Sequence, residues 1–281
     1  MKVAALLGPS VKTAAIRRFQ IHPDIQITPV EQLTADWDAA LIFGGDGTVH
    51  RYLPQLHAFK IPVLVVPSGS GNDFAHTLGI HNSSIALQVW KGFCAGQTNV
   101  RKIDLGLIRK DKEETLFCCV AGAGLDAQAN ARANRMPTWL RGAGGYLVAA
   151  LQTLIKLEPL EIHLNCECGC EKCPGLFVAI GNASRYGHGF KVAPKAALDD
   201  GKLDICLVRR MNKMKVLCCL PTIYFGAHLR LREVSYFQAP SARLDTRPRL
   251  ELYADGEYIC DTPVEISVAP GALKVISPKY L

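Results

Sequence analysis

Residues 39–48, AALIFGGDGT, and residues 61–75, IPVLVVPSGSGNDFA, decide the fold. Each stretch is an apolar run that ends in glycines and small polar residues, and each continues into a segment with helical character. This order predicts a buried strand, a tight glycine turn and a helix, twice in succession. Strands that alternate with helices favour a parallel sheet covered on both faces.

The pattern changes along the chain. In the first third, strands are predicted at 2–7, 25–28, 39–43 and 61–66, and helices at 11–19 with Ser10 as N-cap, at 49–56 and from about Asp73. After about Lys102, strands are predicted at 104–108, 116–120, 160–164, 176–180, 203–208, 242–245, 250–254 and 265–268, with helices at 140–157 and 213–226. Closely spaced strands separated by turn residues predict a mostly antiparallel, sandwich-like second domain.

Composition limits the partners. The 281 residues carry a formal net charge of +7, which suits nucleotide phosphates, nucleic acid or an acidic membrane surface, and equally a simple solubilising excess. The chain has no basic and aromatic strip of the kind that nucleic-acid binding prefers, so no nucleic acid is expected. Eleven cysteines, an odd number mostly within apolar segments, indicate a reducing, cytoplasmic setting. No apolar run is long enough to span a membrane, so a lipid substrate would be met at a membrane surface.

The first glycine loop, Gly44-Gly45-Asp46-Gly47-Thr48, lies where open parallel sheets bind ligands. Glycines let the backbone approach a phosphate, and the N–H groups that begin a helix point toward the anion. Asp46 would repel bare phosphates, so its carboxylate makes sense if a magnesium ion lies between them. The alternative is a structural turn in which Asp46 caps the helix.

The second loop, from Pro67 to Ala75, repeats this arrangement one strand later. Ser70 is expected to bind a phosphate, Asn72 to hold the turn or contact nucleotide, and Asp73 to begin a helix and engage the same magnesium. The alternative is a capped turn in which the charge of Asp73 stabilises the helix N-terminus. Two such loops on neighbouring strands favour a phosphate site. The residues expected to bind nucleotide are Gly44, Gly45, Asp46, Gly47, Thr48, Ser68, Gly69, Ser70, Gly71, Asn72 and Asp73.

The two loops together resemble the catalytic domain of the diacylglycerol kinase family, which bacterial lipid kinases and sphingosine kinases share, and more distantly NAD kinases. The chain lacks the P-loop and protein-kinase signatures. Shorter motifs follow in the family's order: 122–127, 181–182, 186–189, 193–194, 199–204 and 255–257. His188 stands where the family usually has glycine, and only Gly8-Pro9-Ser10 matches the usual motif after the first strand.

The resemblance implies a two-domain α/β plus β fold that uses ATP and Mg²⁺. A nucleotide-binding domain would cover 1–103, completed by a returning segment at 270–281. A β-rich acceptor domain would cover 104–269, with the active site in the cleft between the domains. The family's base lies in an Asp-Gly-Glu turn, so the role passes to Asp255 or Glu257, although the residues alone also favour a plain hairpin turn there.

Two further metal sites are suggested. Bacterial family members bind a structural magnesium at an Asp-Asp-Gly turn, which implies Asp200 as the acidic ligand with the carbonyl groups of Ala197 and Lys202; a turn without an ion is the alternative. Four thiols within eight residues could bind zinc, against the alternative of a hairpin with exposed, oxidisable thiols. The four are Cys166, Cys168, Cys170 and Cys173.

The expected function is transfer of the γ-phosphate of ATP to a lipid hydroxyl, such as that of diacylglycerol, by a cytoplasmic enzyme that meets its lipid at a membrane surface. A homodimer is left open. The rival functions are a kinase for a soluble acceptor, as in NAD kinases, and a nucleotide-binding protein without catalysis.

Overall fold

The computed structural model describes residues 1–9, 11–124, 160–167, 169–187 and 189–278. The chain divides into two units, Met1–Leu105 with Pro270–Leu281, and Gly106–Ala269. No helix in these described ranges is long and apolar enough to cross a membrane.

The smaller unit is built on a parallel sheet. Its strands are β1 (Lys2–Leu7), β2 (Gln26–Pro29), β3 (Ala39–Gly44) and β4 (Val63–Pro67). They lie in the order β2-β1-β3-β4, and each neighbouring pair is parallel. Every residue of β3 is buried, as expected for a strand covered on both faces. Leu41 of β3 lies beside Leu64 of β4, so the two glycine loops follow adjacent strand ends.

Helices follow the strands of this unit. They are α1 (Asp46–Phe59), α2 (Asp73–Thr77) and α3 (Ser83–Cys94), with a 3-10 helix, η1, at Thr13–Phe19. The prediction for 11–19 is therefore corrected to a 3-10 helix that begins after Lys12, and Ser10 lies outside the described residues. The helix predicted from Asp73 ends after five residues because Gly79 adopts a φ of 78°, and α3 begins separately with Asn82 as its N-cap.

The larger unit consists mostly of antiparallel strands. They are β5 (Val100–Lys110), β6 (Glu113–Phe117), β7 (Val120–Gly124), β8 (Leu160–Cys166), β9 (Gly169–Gly181), β10 (Leu203–Arg209), β11 (Val234–Ala239), β12 (Ser241–Arg247), β13 (Glu251–Ala254), β14 (Glu257–Asp261) and β15 (Val264–Ile276). Strands β5 and β15 also contribute residues to the smaller unit, where Val275 pairs in parallel with Val63. One buried apolar cluster, including Phe117, Val178 and Leu244, forms the core.

Three predictions for this unit need correction. The single strand predicted at 116–120 is two strands, because Cys118 and Cys119 direct their N–H groups to a side chain rather than to a neighbouring strand. The helix predicted at 213–226 is α4 (Lys213–Ile223), followed by a short 3-10 helix, η2 (Ala227–Arg230). The sequence pattern did not predict β11 and β14. The helix predicted at 140–157 lies outside the described residues.

The predicted fold class is confirmed. A parallel sheet with covering helices forms the smaller unit, and antiparallel strands form the larger one.

Candidate functional site

The two glycine loops touch each other through their backbones. The Asp46 N–H donates to the carbonyl oxygen of Gly71 at 3.3 Å, and the Ser68 N–H donates to that of Gly44 at 3.1 Å. These bonds extend the pairing of β3 with β4 into the loops beyond the strand ends. The loops therefore form one surface at the carboxyl edge of the sheet, where parallel sheets bind ligands.

Glycine is required where the loops meet. A Cβ atom added to Gly69 would lie 2.6 Å from the Cα of Gly45, and one added to Gly45 would clash with the carbonyl oxygen of Gly71. Neither clash is with a flexible side chain, so neither is relieved by a change of rotamer. The close approach of two backbones explains these glycines without invoking a ligand.

Asp46 joins the loops through its side chain. One carboxylate oxygen accepts the N–H of Asp73 and the other accepts the N–H of Phe74, both at 3.0 Å. Asp46 therefore satisfies two N–H groups that begin α2, and its charge is favourable at that helix end. The alternative in which Asp46 caps its own helix is wrong, because the N-cap of α1 is Gly45.

Asn72 holds the second loop in shape. Its side-chain oxygen accepts the Gly69 N–H at 3.0 Å, and its amide nitrogen donates to the Gly69 carbonyl at 2.9 Å. Asp73 is only 3% exposed, whereas Ser68, Gly69 and Ser70 are exposed. The part of this loop that faces solvent is therefore Ser68 to Ser70.

The acidic turn of the larger unit separates its two carboxylates. Asp255 and Gly256 have φ values of 51° and 93°, as a two-residue turn between β13 and β14 requires. The carboxylate oxygens of Asp255 accept the N–H groups of Cys118 and Cys119, each at 2.8 Å. Glu257 begins β14 and is exposed. Asp255 thus holds the irregular link between β6 and β7, and Glu257 faces solvent.

The predicted structural magnesium ligands lie in the turn before β10. Asp200 and Lys202 are exposed, and Ala197 is half-buried. One Asp200 oxygen accepts the Lys202 N–H at 3.0 Å, and the other accepts the side-chain amide of Gln238 at 3.1 Å. Gln238 also donates to Asp204, whose pKa burial raises above its usual value. These contacts satisfy the turn without an ion, so the magnesium site stays a prediction.

The cysteine-rich segment is a hairpin between β8 and β9. Cys166 pairs with Gly169, whereas Cys173 pairs with Ile162, four residues further from the turn. The structure does not bring Cys166, Cys170 and Cys173 together, and Cys168 lies outside the described residues. Within those residues, the only grouped thiols and carboxylates with metal-ligand spacing belong to Cys118, Cys119 and Asp255. The zinc site therefore stays a prediction, and the hairpin itself is confirmed.

Sequence reasoning missed an apolar cavity in the larger unit. It lies against the inner face of α4, and its lining is Leu176, Phe177, Val208, Met211, Val216, Cys219, Leu220, Ile223, His228 and Val234. His228 is buried, its Nε2 lies 3.2 Å from the Val192 carbonyl, and burial lowers its pKa. The apolar spacing of Val216, Leu220 and Ile223 was the available signal for this face.

Both parts of the chain match known protein families. Residues 119–277, more than half of the chain, match the family described as YegS C-terminal NAD kinase beta sandwich-like domain. Residues 2–108 match the diacylglycerol kinase catalytic domain. The chain belongs to the diacylglycerol kinase family. The recognition made from the two loops and the later motifs is confirmed, and members of this family are kinases.

Relatives support the same family. The chain is 38% identical to a diacylglycerol kinase of Mycobacterium tuberculosis over 247 residues, which cover 86% of this chain and 78% of that protein. It is 30% identical to a protein of Chromohalobacter salexigens named "Probable lipid kinase YegS-like", over 84% of this chain and 75% of that one.

Solved structures of other proteins have a similar fold. A diacylglycerol kinase of Bacillus anthracis aligns with a TM-score of 0.73 at 18% identity, over 99% of this chain and 97% of that one. An NAD kinase of Archaeoglobus fulgidus in complex with ATP aligns with a TM-score of 0.57 at 12% identity, over 99% of this chain and 94% of that one. At these identities the likeness shows the fold alone.

Proposed function

We propose that this family member transfers the γ-phosphate of ATP to a hydroxyl group of a lipid such as diacylglycerol. The observation that carries the proposal is the pair of glycine loops, which touch through their backbones and are joined by the Asp46 carboxylate. One rigid double loop at the end of a parallel sheet is suited to hold a triphosphate in a fixed position, and positioning supplies much of the catalysis in phosphoryl transfer.

Some residues of the two glycine loops hold the loops in shape, and others are exposed and available to bind the phosphates of ATP. Gly44, Gly45 and Gly71 lie in the backbone contact between the loops, and Asn72 fixes the second turn. The exposed residues of the two loops are Gly47, Ser68, Gly69 and Ser70. The N–H groups of Ser68 and Gly69 already donate to Gly44 and Asn72. The Ser70 hydroxyl and the backbone N–H groups of Gly47 and Ser70 are therefore proposed to bind the phosphate oxygens.

The donor residues fit a magnesium ion that arrives with the nucleotide. Asp46 is half-buried where the two loops meet, and carboxylate oxygens are ligands that Mg²⁺ prefers. Asp73 is nearly fully buried, so we propose that Asp46 rather than Asp73 contacts the magnesium ion, directly or through water. The bound ion would neutralise charge on the transferred phosphoryl group.

The acceptor hydroxyl needs a base. Its oxygen would attack the γ-phosphorus, the bond to the β-phosphate oxygen would break, ADP would leave, and the hydroxyl proton would pass to a carboxylate. Both oxygens of Asp255 already accept N–H groups, so this carboxylate holds the backbone of the link between β6 and β7. We therefore favour Glu257, which is exposed, for this role.

We propose a lipid acceptor rather than a soluble one. The chain's relatives with lipid kinase names agree with this choice.

The test is transfer of labelled γ-phosphate from ATP to a panel of acceptors. The panel should contain diacylglycerol, phosphatidylglycerol, a sphingoid base and NAD, with Asp46→Ala as the blank. Labelled lipid that the blank does not form is the expected result. Labelled NAD alone would favour a soluble-acceptor kinase, and nucleotide binding without any labelled acceptor would favour a protein without catalysis.

A further inference from the structure

Helix α4 carries an exposed apolar stripe on its outer face. Met214 is 68% exposed, Leu217 is 38% exposed, and Phe225, just beyond the helix end, is 83% exposed. Cys218 and Pro221 are also exposed and lie between them. The spacing of three to four residues places these side chains along one side of the helix, over a length of about 16 Å.

The opposite face of α4 is apolar as well. Val216, Leu220 and Ile223 are buried and line the cavity described above. A helix that is apolar on two opposite faces normally has both faces covered. Grouped exposure of large apolar side chains marks an interaction site more often than scattered exposure does.

Cations gather at the N-terminal end of the stripe. Arg210 and Arg232 are exposed, and the antiparallel pairing of β10 with β11 brings their chain segments together. The Arg209 N–H donates to the carbonyl of Glu233 at 2.8 Å, and Lys215 of α4 pairs with the Glu233 carboxylate at 2.6 Å. These contacts connect the end of β10 and the segment before β11 to α4. Of the six Lys or Arg residues between positions 205 and 232, Arg209 and Lys215 form ion pairs with Glu171 and Glu233.

We propose that this surface docks the enzyme onto an anionic lipid bilayer. The α4 surface is defined here as the apolar residues Met214, Leu217, Cys218, Pro221 and Phe225 together with the cations Arg210, Lys213 and Arg232. An apolar stripe bordered by cations matches the boundary between acyl chains and anionic headgroups. The inference rests on the proposed function only in that a lipid acceptor requires the enzyme to reach a bilayer.

The test is co-sedimentation of the full chain with vesicles of phosphatidylcholine alone or mixed with phosphatidylglycerol. Binding to the anionic vesicles is expected to exceed binding to the neutral ones and to weaken with added salt. The double variant Leu217→Ser/Phe225→Ser should bind about 30-fold more weakly, because two apolar side chains lose their burial in the bilayer. Arg210→Gln/Arg232→Gln should lose a similar factor, about 30-fold at low salt.

The matched control is Phe59→Ser, which removes a partly exposed aromatic residue of the smaller unit. It should bind vesicles as the unaltered protein does. Phosphoryl transfer to a short-chain acceptor dispersed in detergent separates the two proposals, because the α4 variants should keep that activity. Vesicle binding without any phosphoryl transfer would refute the proposed function and leave the docking surface standing.

Three results would overturn the docking proposal. They are equal binding to neutral and anionic vesicles, full vesicle binding by Leu217→Ser/Phe225→Ser, and self-association of the unaltered protein that this double variant abolishes without loss of vesicle binding. The last result would assign the surface to an interface between copies of the chain.

Discussion

Asp46 and Asn82 make the same kind of contact, but only Asp46 lies in the proposed nucleotide site. Asp46 accepts the two N–H groups that begin α2, and Asn82 accepts those of Ser84 and Ile85 that begin α3. Truncation of either side chain leaves two helix N–H groups without a side-chain acceptor. Asp46→Ala and Asn82→Ala are therefore each expected to lower the free energy of unfolding by about 1 kcal/mol.

The two variants should differ in catalysis. If Asp46 also contacts the metal bound to the nucleotide, Asp46→Ala should lower the turnover number by roughly 100-fold or more. Asn82→Ala should keep the turnover of the unaltered protein. Urea unfolding measures the stability of each variant, and transfer of labelled phosphate to diacylglycerol measures turnover.

Equal effects of the two substitutions would refute the metal contact of Asp46. If both variants lose the same stability and retain the same turnover, Asp46 is a helix cap and nothing more. The metal contact would then have to be assigned elsewhere.

The remaining predictions concern the loops, the acidic turn and a buried histidine. Gly45→Ala should weaken nucleotide binding and cost about 1–3 kcal/mol in stability, because its Cβ would force the carbonyl oxygen of Gly71 away; calorimetric titration with ATP and urea unfolding test this. Asp255→Asn should lower the free energy of unfolding by about 1–3 kcal/mol, because the Asp255 carboxylate accepts two N–H groups. Glu257→Gln should lower turnover at least about 100-fold and leave stability unchanged. The reverse pattern would assign the base to Asp255. Burial lowers the pKa of His228 in the folded protein, so the unfolded chain binds a proton that the folded chain excludes, and the free energy of unfolding should fall as the pH drops below 6.5. His228→Gln should reduce that slope, as urea unfolding at about pH 7.5 and about pH 5.5 would show.

The apolar strands and glycine loops were predictable because each depends on local sequence. The run from Ala39 to Phe43 has no polar residue and ends in glycines, which is typical of a strand covered on both faces. The positions of α1 and α2 followed from the turns before them.

Contacts between distant residues were not predictable in the same way. The bonds from Asp46 to the start of α2 span 27 residues, and those from Asp255 to Cys118 and Cys119 span 137 and 136 residues. Nothing in the local sequence distinguishes a carboxylate that holds a backbone from one that accepts a proton. The sequence therefore left Asp255 and Glu257 as equal candidates, and the hydrogen bonds now favour Glu257.

The sequence also did not reveal which face of α4 is exposed. The sequence predicted a helix at 213–226, but an apolar pattern on two opposite faces does not reveal which face is buried. The exposure of Phe225 and the burial of Leu220 came only with the three-dimensional structure.

The most direct test of the double-loop site is a crystal structure with magnesium and a non-hydrolysable ATP analogue. We expect the phosphates to contact residues 44–48 and 67–73, with the metal beside Asp46. Phosphates bound anywhere else on the chain would contradict it.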